Sequence, residues 1–245
     1  MFKPSWARII SGEQEGVYGY ITVNYLNGLL VNSSEHVGAL DLGGASTQIT
    51  YNANVDLLAN LFNIQLGDAV NEDVYTHSFL YFGINEATRR ANQRVVDTTS
   101  AVHTTNKGIR VYNSPCYNVG ALLNFTDIDN VRVLINGTGN YTACTEILSP
   151  LLVKNALCFT SADGLVHNDR ACSIAGVYQP PVYGNYVAFS GFSYTYDFLG
   201  LAGNASLSEL KAATKELCEM PYDKVLALHP KVRPLLRTRH ARTHR

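Results

Sequence analysis

The sequence predicts an α/β fold, and three observations carry that prediction. Segments typical of strands occur at 38–51 and 74–80, and segments typical of helices occur at 84–96 and 206–218. Strands that are interleaved with helices favour an α/β architecture. The composition, with 46% apolar and 16% charged residues, is that of a globular chain and excludes a disordered one. The length of 245 residues suffices for one large or two small domains.

The N-terminal part of the chain predicts a loop, a helix and a hairpin, in that order. Glu15 lies in a glycine-rich stretch, 12–19, which we expect to be a loop that a substrate can approach closely. An apolar, helix-like run follows and ends near Leu26. Residues 38–51 then predict an apolar strand, a tight glycine turn and a second strand with alternating polarity.

Turn and capping signals mark the later elements. The alternating segment 74–80 predicts a strand, and 84–96 predicts a helix with arginines on its outer face. Residues 99–172 contain several glycosylation sequons and four of the five cysteines, which predicts a loop-rich insertion pinned by disulfides. The aromatic stretch 177–199 predicts strands separated by two prolines. Ser206 has the spacing of a capping box, which predicts a final helix.

The glycine hairpin concentrates groups that suit phosphate and a metal ion. The carboxylate of Asp41 suits a hydrated divalent cation, since hard cations prefer oxygen ligands. The amides of Gly43 and Gly44 can approach an oxyanion closely. Ser46 and Gln48 share one face of a strand, so together they can hold a small molecule such as a water. The same Asp-Leu-Gly-Gly sequence also suits an ordinary hairpin turn, so this stretch alone leaves both interpretations open.

Cysteine spacing argues against a zinc site and favours an oxidising compartment. The chain has no Cys-x-x-Cys pair. The five cysteines are Cys116, Cys144, Cys158, Cys172 and Cys218. Four of them can form two disulfides, with three pairings open, and one is left over. Five sequons begin at Asn32, Asn124, Asn136, Asn140 and Asn204.

The charge distribution excludes nucleic acid as the expected partner. The net charge is −1, but residues 229–245 hold six Lys or Arg and no Asp or Glu, so the remaining body is acidic. We expect the basic tail to be frayed and solvated rather than bound to lipid or RNA. No apolar run approaches the ~18 residues of a membrane span. Met1 is not followed by the apolar segment of a signal peptide.

Five stretches occur in a fixed order along the chain. They are the Glu15 segment at 6–26, the hairpin at 38–51, a strand-to-helix junction at 78–90, and the late segments 172–181 and 187–199. Together they resemble the apyrase or ecto-nucleoside triphosphate diphosphohydrolase family, and the resemblance runs from about residue 6 to about residue 237. Several ordered motifs are more specific than one glycine loop.

The resemblance implies a lobe of the actin-like, ribonuclease-H-like type, in enzymes that bind nucleotide in a cleft between two lobes. Residues 1–228 would form the second lobe, with 99–172 as its insertion and 229–245 as a tail, and the first lobe would be missing.

The resemblance also implies a disulfide pattern and a location. The expected disulfides are Cys116 with Cys158 and Cys144 with Cys172. The expected location is the cell surface or the secretory pathway, with membrane anchoring in full-length relatives.

The resemblance assigns catalytic roles to the hairpin and to the glycine-rich stretch before it. Glu15 deprotonates the attacking water, and Ser46 and Gln48 hold that water in line. The amides of Gly43, Gly44 and Ala45, with Ser46, cradle the phosphate oxygens.

Two further roles come from the resemblance. Asp41 organises Ca²⁺ or Mg²⁺ through water. Tyr194 stacks on the nucleobase, and Gly191 keeps the backbone low beside the ring. Stacking accepts every base, so the resemblance implies broad nucleotide specificity.

The expected function is metal-assisted hydrolysis of nucleoside tri- and diphosphates by water. One alternative is a catalytically silent, truncated isoform that binds nucleotide weakly or binds a partner. Another is an actin-like ATPase or sugar kinase, against which the Glu15 segment argues. A covalent role for Ser46 is disfavoured, because no Gly-x-Ser-x-Gly motif surrounds it.

Overall fold

A computed structural model of the protein describes residues 3, 7–31, 35–152 and 173–230. The described residues divide into two compact units. Unit 1 holds those within Met1–Ala87 and Leu152–Thr195, and unit 2 holds those within Thr88–Leu151 and Tyr196–Arg245. Each unit combines helices with a sheet of its own, so the predicted α/β class is confirmed.

The described helices and strands follow one another in this order along the chain. They are α1 (Gly12–Leu26), β1 (Gly38–Leu42), β2 (Ser46–Tyr51), β3 (Leu61–Leu66), β4 (Val70–Leu80), α2 (Ile84–Thr98), β5 (His103–Thr104), β6 (Arg110–Ser114), β7 (Leu122–Thr126), β8 (Arg132–Gly137), α3 (Tyr141–Leu148), β9 (Tyr186–Ser190), α4 (Gly191–Phe198), α5 (Leu207–Glu219) and α6 (Tyr222–Leu228). The predicted strand at 74–80 and the helices at 84–96 and 206–218 are confirmed. No helix among the described residues is both long enough and apolar enough to span a bilayer.

Unit 1 is built on a five-stranded mixed sheet in the order β3-β4-β2-β1-β9. Neighbouring strands are antiparallel, except that β1 and β9 run parallel. Helix α1 packs against this sheet. The buried apolar cluster between them comprises Val17, Tyr20, Val23, Ala39, Ile64, Val70 and Val74. Burial of this cluster is the main favourable term that fixes α1 on the sheet.

Glu15 lies in the first turn of α1 and not in a loop, so that prediction is wrong. The side chain of Ser11 accepts a hydrogen bond from the Gln14 N–H at 3.2 Å, and the Gln14 side chain accepts one from the Ser11 N–H at 3.1 Å. This capping box satisfies N–H donors that a helix start otherwise leaves unpaired. The helix therefore begins three residues before Glu15.

Glycines in α1 bring the helix close to the sheet rather than opening space for a ligand. A Cβ on Gly16 would lie 2.7 Å from Thr50 Oγ1, and one on Gly19 would lie 2.8 Å from the Phe189 ring. Both distances are too short for a real Cβ contact. The glycine spacing that predicted a loop instead marks the helix face that contacts β2 and β9.

Polar contacts tie the second half of α1 to the sheet. Asn24, which is fully buried, donates from Nδ2 to the Val37 carbonyl and accepts from the Val37 N–H. The Tyr20 hydroxyl lies 2.9 Å from His36 Nδ1, which in turn lies 2.9 Å from Glu72 Oε1 on β4. Burial and the Glu72 carboxylate raise the pKa of the Tyr20 hydroxyl. These hydrogen bonds prevent α1 from sliding along its axis over the sheet, and the apolar cluster holds the helix against the sheet.

The aromatic stretch 177–199 forms one strand and one helix instead of two strands. Two tyrosines of the sheet, Tyr51 and Tyr75, donate from their hydroxyls to the carbonyls of Pro180 and Tyr178. These bonds hold the proline segment along the sheet before β9 begins. Helix α4 follows β9 directly.

Unit 2 holds a four-stranded sheet in the order β5-β6-β8-β7. The segment 99–152 therefore contains more regular structure than a loop-rich insertion predicts. Its core is formed by Val95 of α2 with Tyr112, Val133 and Ile135 of the sheet. Short strands separated by polar turns explain why the periodicity of this segment was hard to detect.

The disulfide of unit 2 joins Cys116 to Cys144, so the expected pairing of each with a later cysteine is wrong. Strands β6 and β8 run parallel, and the Asn140 N–H donates to the Pro115 carbonyl at 3.0 Å. This geometry brings the first turn of α3 against the end of β6, with a Cα–Cα distance of 4.8 Å for the cysteine pair. Cys218 forms no disulfide with any described residue, and burial raises the pKa of its thiol. Cys158 and Cys172 lie outside the described residues.

Replacing both Cys116 and Cys144 with serine should lower the free energy of unfolding by about 2–5 kcal/mol, because the open chain gains conformational freedom when unfolded. The control is Cys218→Ala, which breaks no disulfide among the described residues and should cost about 1 kcal/mol or less. Chemical denaturation measures both values. Peptide mapping of the non-reduced protein should recover the 116–144 pair, and recovery of Cys116 linked to Cys158 would contradict the structure.

Candidate active site

The candidate site lies where β1 and β2 meet in the glycine turn, next to the start of α1. Asp41 of β1 and Gln48 of β2 are directly opposed across the antiparallel pair. Gln48 is in turn opposed by Ser78 of β4. The strand register therefore places a carboxylate, a carboxamide and a hydroxyl in one row across the sheet.

The carboxamide of Gln48 connects the two residues on which the predicted chemistry depends. Its Nε2 donates to Glu15 Oε2 at 3.0 Å and lies 2.7 Å from Ser46 Oγ. Gln48 is only 1% exposed, and its Oε1 is buried without a partner among the described residues. The structure thus brings Glu15, Ser46 and Gln48 into one cluster, with one acceptor oxygen left over.

The turn peptides are oriented by the start of α2. The N–H groups of Ile84 and Asn85 donate to the carbonyls of Gly43 and Gly44, each at 2.9 Å. Because a trans peptide points its N–H opposite to its carbonyl, the N–H groups of Gly44 and Ala45 point away from α2. Neither N–H has an acceptor among the described residues.

The N–H of Gly43, unlike the N–H groups of Gly44 and Ala45, is bonded within the turn. It donates to the Ser46 carbonyl at 2.9 Å and closes the turn, so it is not available to a phosphate as the sequence predicted. Gly83 packs against the same turn, and a Cβ there would lie 2.5 Å from the nitrogens of Ala45 and Ser46. The absence of a side chain at Gly83 therefore lets its backbone pack directly against the turn.

Asp41 and Glu15 line one cavity of about 490 Å³ in unit 1. The rest of its wall is mainly apolar and comes from α1 and β9. Asp41 Oδ1 is buried and has no hydrogen-bond partner among the described residues. Such an oxygen fits a hydrated Ca²⁺ or Mg²⁺, because these ions are bound through few carboxylates together with water and phosphate oxygens. The described residues contain no cluster of three or more His, Cys, Asp or Glu that would bind a metal ion without such help.

Tyr194 and Gly191 both lie on α4. Tyr194 is 71% exposed, so it does not pack the sheet, and its ring is open to a ligand. Gly191 is buried, and a Cβ there would lie 2.6 Å from the Leu42 carbonyl oxygen. Position 191 therefore requires glycine because the backbone packs closely against Leu42, next to the glycine turn. This packing places the start of α4 beside the site.

Ser78 is the site residue that the sequence did not identify. Its Oγ lies 3.0 Å from Gln48 Nε2. The alternation of β4 places Ser78 on the same face as Thr76, but only the register between β2 and β4 shows that it opposes Gln48. Register between strands this far apart in the chain is not readable from local pattern.

Comparison with known proteins shows the family to which the chain belongs. The profile of the GDA1/CD39 (nucleoside phosphatase) family matches residues 1–238, so the chain belongs to that family. The chain is 34% identical to ectonucleoside triphosphate diphosphohydrolase 8 of Gallus gallus over 95% of its length, and 36% identical to that of Bos taurus over 91%. It is 33% identical to ectonucleoside triphosphate diphosphohydrolase 2 of Homo sapiens over 91%.

The chain spans about half the length of these relatives, 49%, 47% and 47% respectively. Among solved structures, that of nucleoside triphosphate hydrolases from Neospora caninum matches with a TM-score of 0.61 over 89% of this chain and 52% of the other, at 18% identity. This likeness shows the fold alone.

Proposed function

We propose that the protein hydrolyses nucleoside tri- and diphosphates to lower phosphates and inorganic phosphate. A water molecule attacks the terminal phosphorus directly, without a phosphorylated protein intermediate. The family and the names of the relatives support this class of substrate.

The observation that carries the proposal is the shared contact of Glu15 and Ser46 with one nitrogen of Gln48. A general base must lie within hydrogen-bond reach of the water that it deprotonates. Water bound in this cluster can give one proton to the Glu15 carboxylate and donate its other proton to Gln48 Oε1, whose acceptor capacity is unused. Ser46 Oγ provides the third hydrogen-bond partner of the attacking water. Phosphoryl transfer depends chiefly on such positioning and on charge stabilisation.

The turn amides supply the charge stabilisation. The N–H groups of Gly44 and Ala45 point to one side of the turn, and their direction is fixed by the bonds from α2. Donors that are oriented before the reaction need no reorganisation as negative charge develops on the phosphate oxygens.

Asp41 is the residue that would hold the hydrated cation. A bound divalent cation would neutralise charge on the polyphosphate. The Asp41 carboxylate is kept in place by strand pairing with Gln48 on one side and Phe189 on the other. The backbone of Asp41 is therefore held next to that of Gln48.

We also propose that the protein works at the cell surface or in the secretory pathway. The Cys116–Cys144 disulfide is typical of an oxidising compartment. Three of the sequon asparagines, Asn124, Asn140 and Asn204, are exposed and accessible to glycosylation.

Glu15→Gln should reduce kcat by roughly 10²–10⁴-fold, because the variant keeps a similar shape and loses the base. Phosphate release from ATP and from ADP with Ca²⁺ measures the effect. The matched control is Glu13→Gln, which changes a carboxylate in the same helical turn that makes no side-chain contact with Gln48.

If the wild type is active and the Glu15→Gln variant is equally active, Glu15 is not the general base. A wild-type chain that binds ATP in calorimetry and releases no phosphate would refute hydrolysis and favour a silent nucleotide-binding form.

Tyr194→Ala should raise KM for ATP by about 5- to 150-fold and leave kcat nearly unchanged, since base stacking on an aromatic ring contributes about 1–3 kcal/mol. The control is Tyr183→Ala, which removes a comparably exposed tyrosine ring elsewhere in unit 1. Equal KM values for the two variants and the wild type would contradict a stacking role for Tyr194.

A further inference from the structure

The nitrogen of the Gln48 side chain has more acceptors than hydrogens. Nε2 carries two hydrogens and lies within 3.0 Å of three oxygens, which are Glu15 Oε2, Ser46 Oγ and Ser78 Oγ. At any moment, therefore, one of the three oxygens is without a hydrogen from Nε2. The carboxylate is the strongest of the three acceptors while it carries its charge.

Which oxygens accept the two Nε2 hydrogens changes during the reaction that we propose above. When Glu15 takes a proton from water, its carboxyl group becomes neutral and a weaker acceptor. An N–H of the fully buried Gln48 would then lose its partner, and an unpaired buried donor is unfavourable. Ser78 Oγ is already at hydrogen-bond distance on the opposite strand, so it can accept that hydrogen without any movement of the backbone.

Ser78 is itself held firmly. It lies on β4, which pairs with β2 on one side and β3 on the other. Gly12, at the start of α1, lies so close that a Cβ there would overlap the Ser78 hydroxyl. The hydroxyl therefore has little freedom to leave Gln48.

We propose that Ser78 is a positioning residue for hydrolysis, which accepts the Gln48 N–H that Glu15 releases and so keeps the carboxamide oxygen aimed at the attacking water. This inference rests on the proposed function. Ser78 acts through Gln48 and contacts neither water nor nucleotide in this role.

Ser78→Ala tests the proposal, since it removes one oxygen and adds no volume. We expect kcat for ATP hydrolysis to fall about 5- to 100-fold with KM unchanged, because the lost hydrogen bond matters only as the proton moves. The matched control is Thr76→Val. Thr76 is buried two residues earlier on the same face of β4, and its hydroxyl bonds Thr50 at 2.7 Å instead of Gln48. Thr76→Val should lose stability and keep kcat.

A spectroscopic measurement separates this inference from the proposed function. In nitrogen-15-edited NMR spectra of the wild-type chain, the side-chain amide protons of Gln48 should show nuclear Overhauser effects to the β-protons of Ser78. In Ser78→Ala the amide signals should shift and exchange faster with water, and in Thr76→Val they should not.

The outcomes are distinct. An active wild type with unchanged kcat in Ser78→Ala would overturn the role of Ser78 and leave the proposed function standing. Absence of the Gln48–Ser78 contact in the wild-type spectrum would overturn it even if the variant did not fold. A wild type that releases no phosphate would instead overturn the proposed function.

Discussion

The site depends on one hydrogen bond, from the buried carboxamide of Gln48 to the exposed carboxylate of Glu15. It joins a helix to the middle of a sheet, and it exists only because α1 lies unusually close to β2. Gly16 allows that approach, since any side chain there would meet Thr50. The capping box at Ser11 then fixes where the helix begins, and so which residue faces Gln48.

Regular structure also holds the polar side chains around Gln48 in place. Each polar group in the cluster has a partner held by regular structure, so little conformational entropy is lost when a substrate arrives. Gln48 Oε1 in the cluster and Asp41 Oδ1 beside it are buried without partners among the described residues, as are His77 Nδ1 and the Tyr186 hydroxyl elsewhere in unit 1. Buried polar atoms normally have partners, and unpaired ones concentrate where a protein meets water, an ion or a ligand. Gln48 and Asp41 are the two of these residues that lie beside Glu15.

Much of this could be predicted from sequence, and the reasons differ from residue to residue. The hairpin was predictable because a strand, a Gly-Gly turn and an alternating strand follow one another within fourteen residues. That Ser46 and Gln48 share one face of the strand followed from the alternation of side chains along a β-strand alone.

The rest depends on contacts that no local pattern encodes. The glycines around Glu15 suggested a loop because glycine is common in loops, and the competing reason, close packing of a helix on a sheet, appears only with β2 and β9 in place. The partner of Cys116 was mispredicted because strand pairing between β6 and β8 decides which cysteine is near. Ser78 escaped notice because its role depends on register with a strand thirty residues away.

The stereochemical course at phosphorus tests most directly the claim that water, held by Glu15 and Gln48, attacks the phosphate itself. Hydrolysis of an ATP analogue whose terminal thiophosphate is made chiral with oxygen isotopes reports that course. A single attack by water inverts the configuration, and inversion is the predicted result. Retention would require two displacements, with Ser46 or another side chain phosphorylated in between, and would contradict the account.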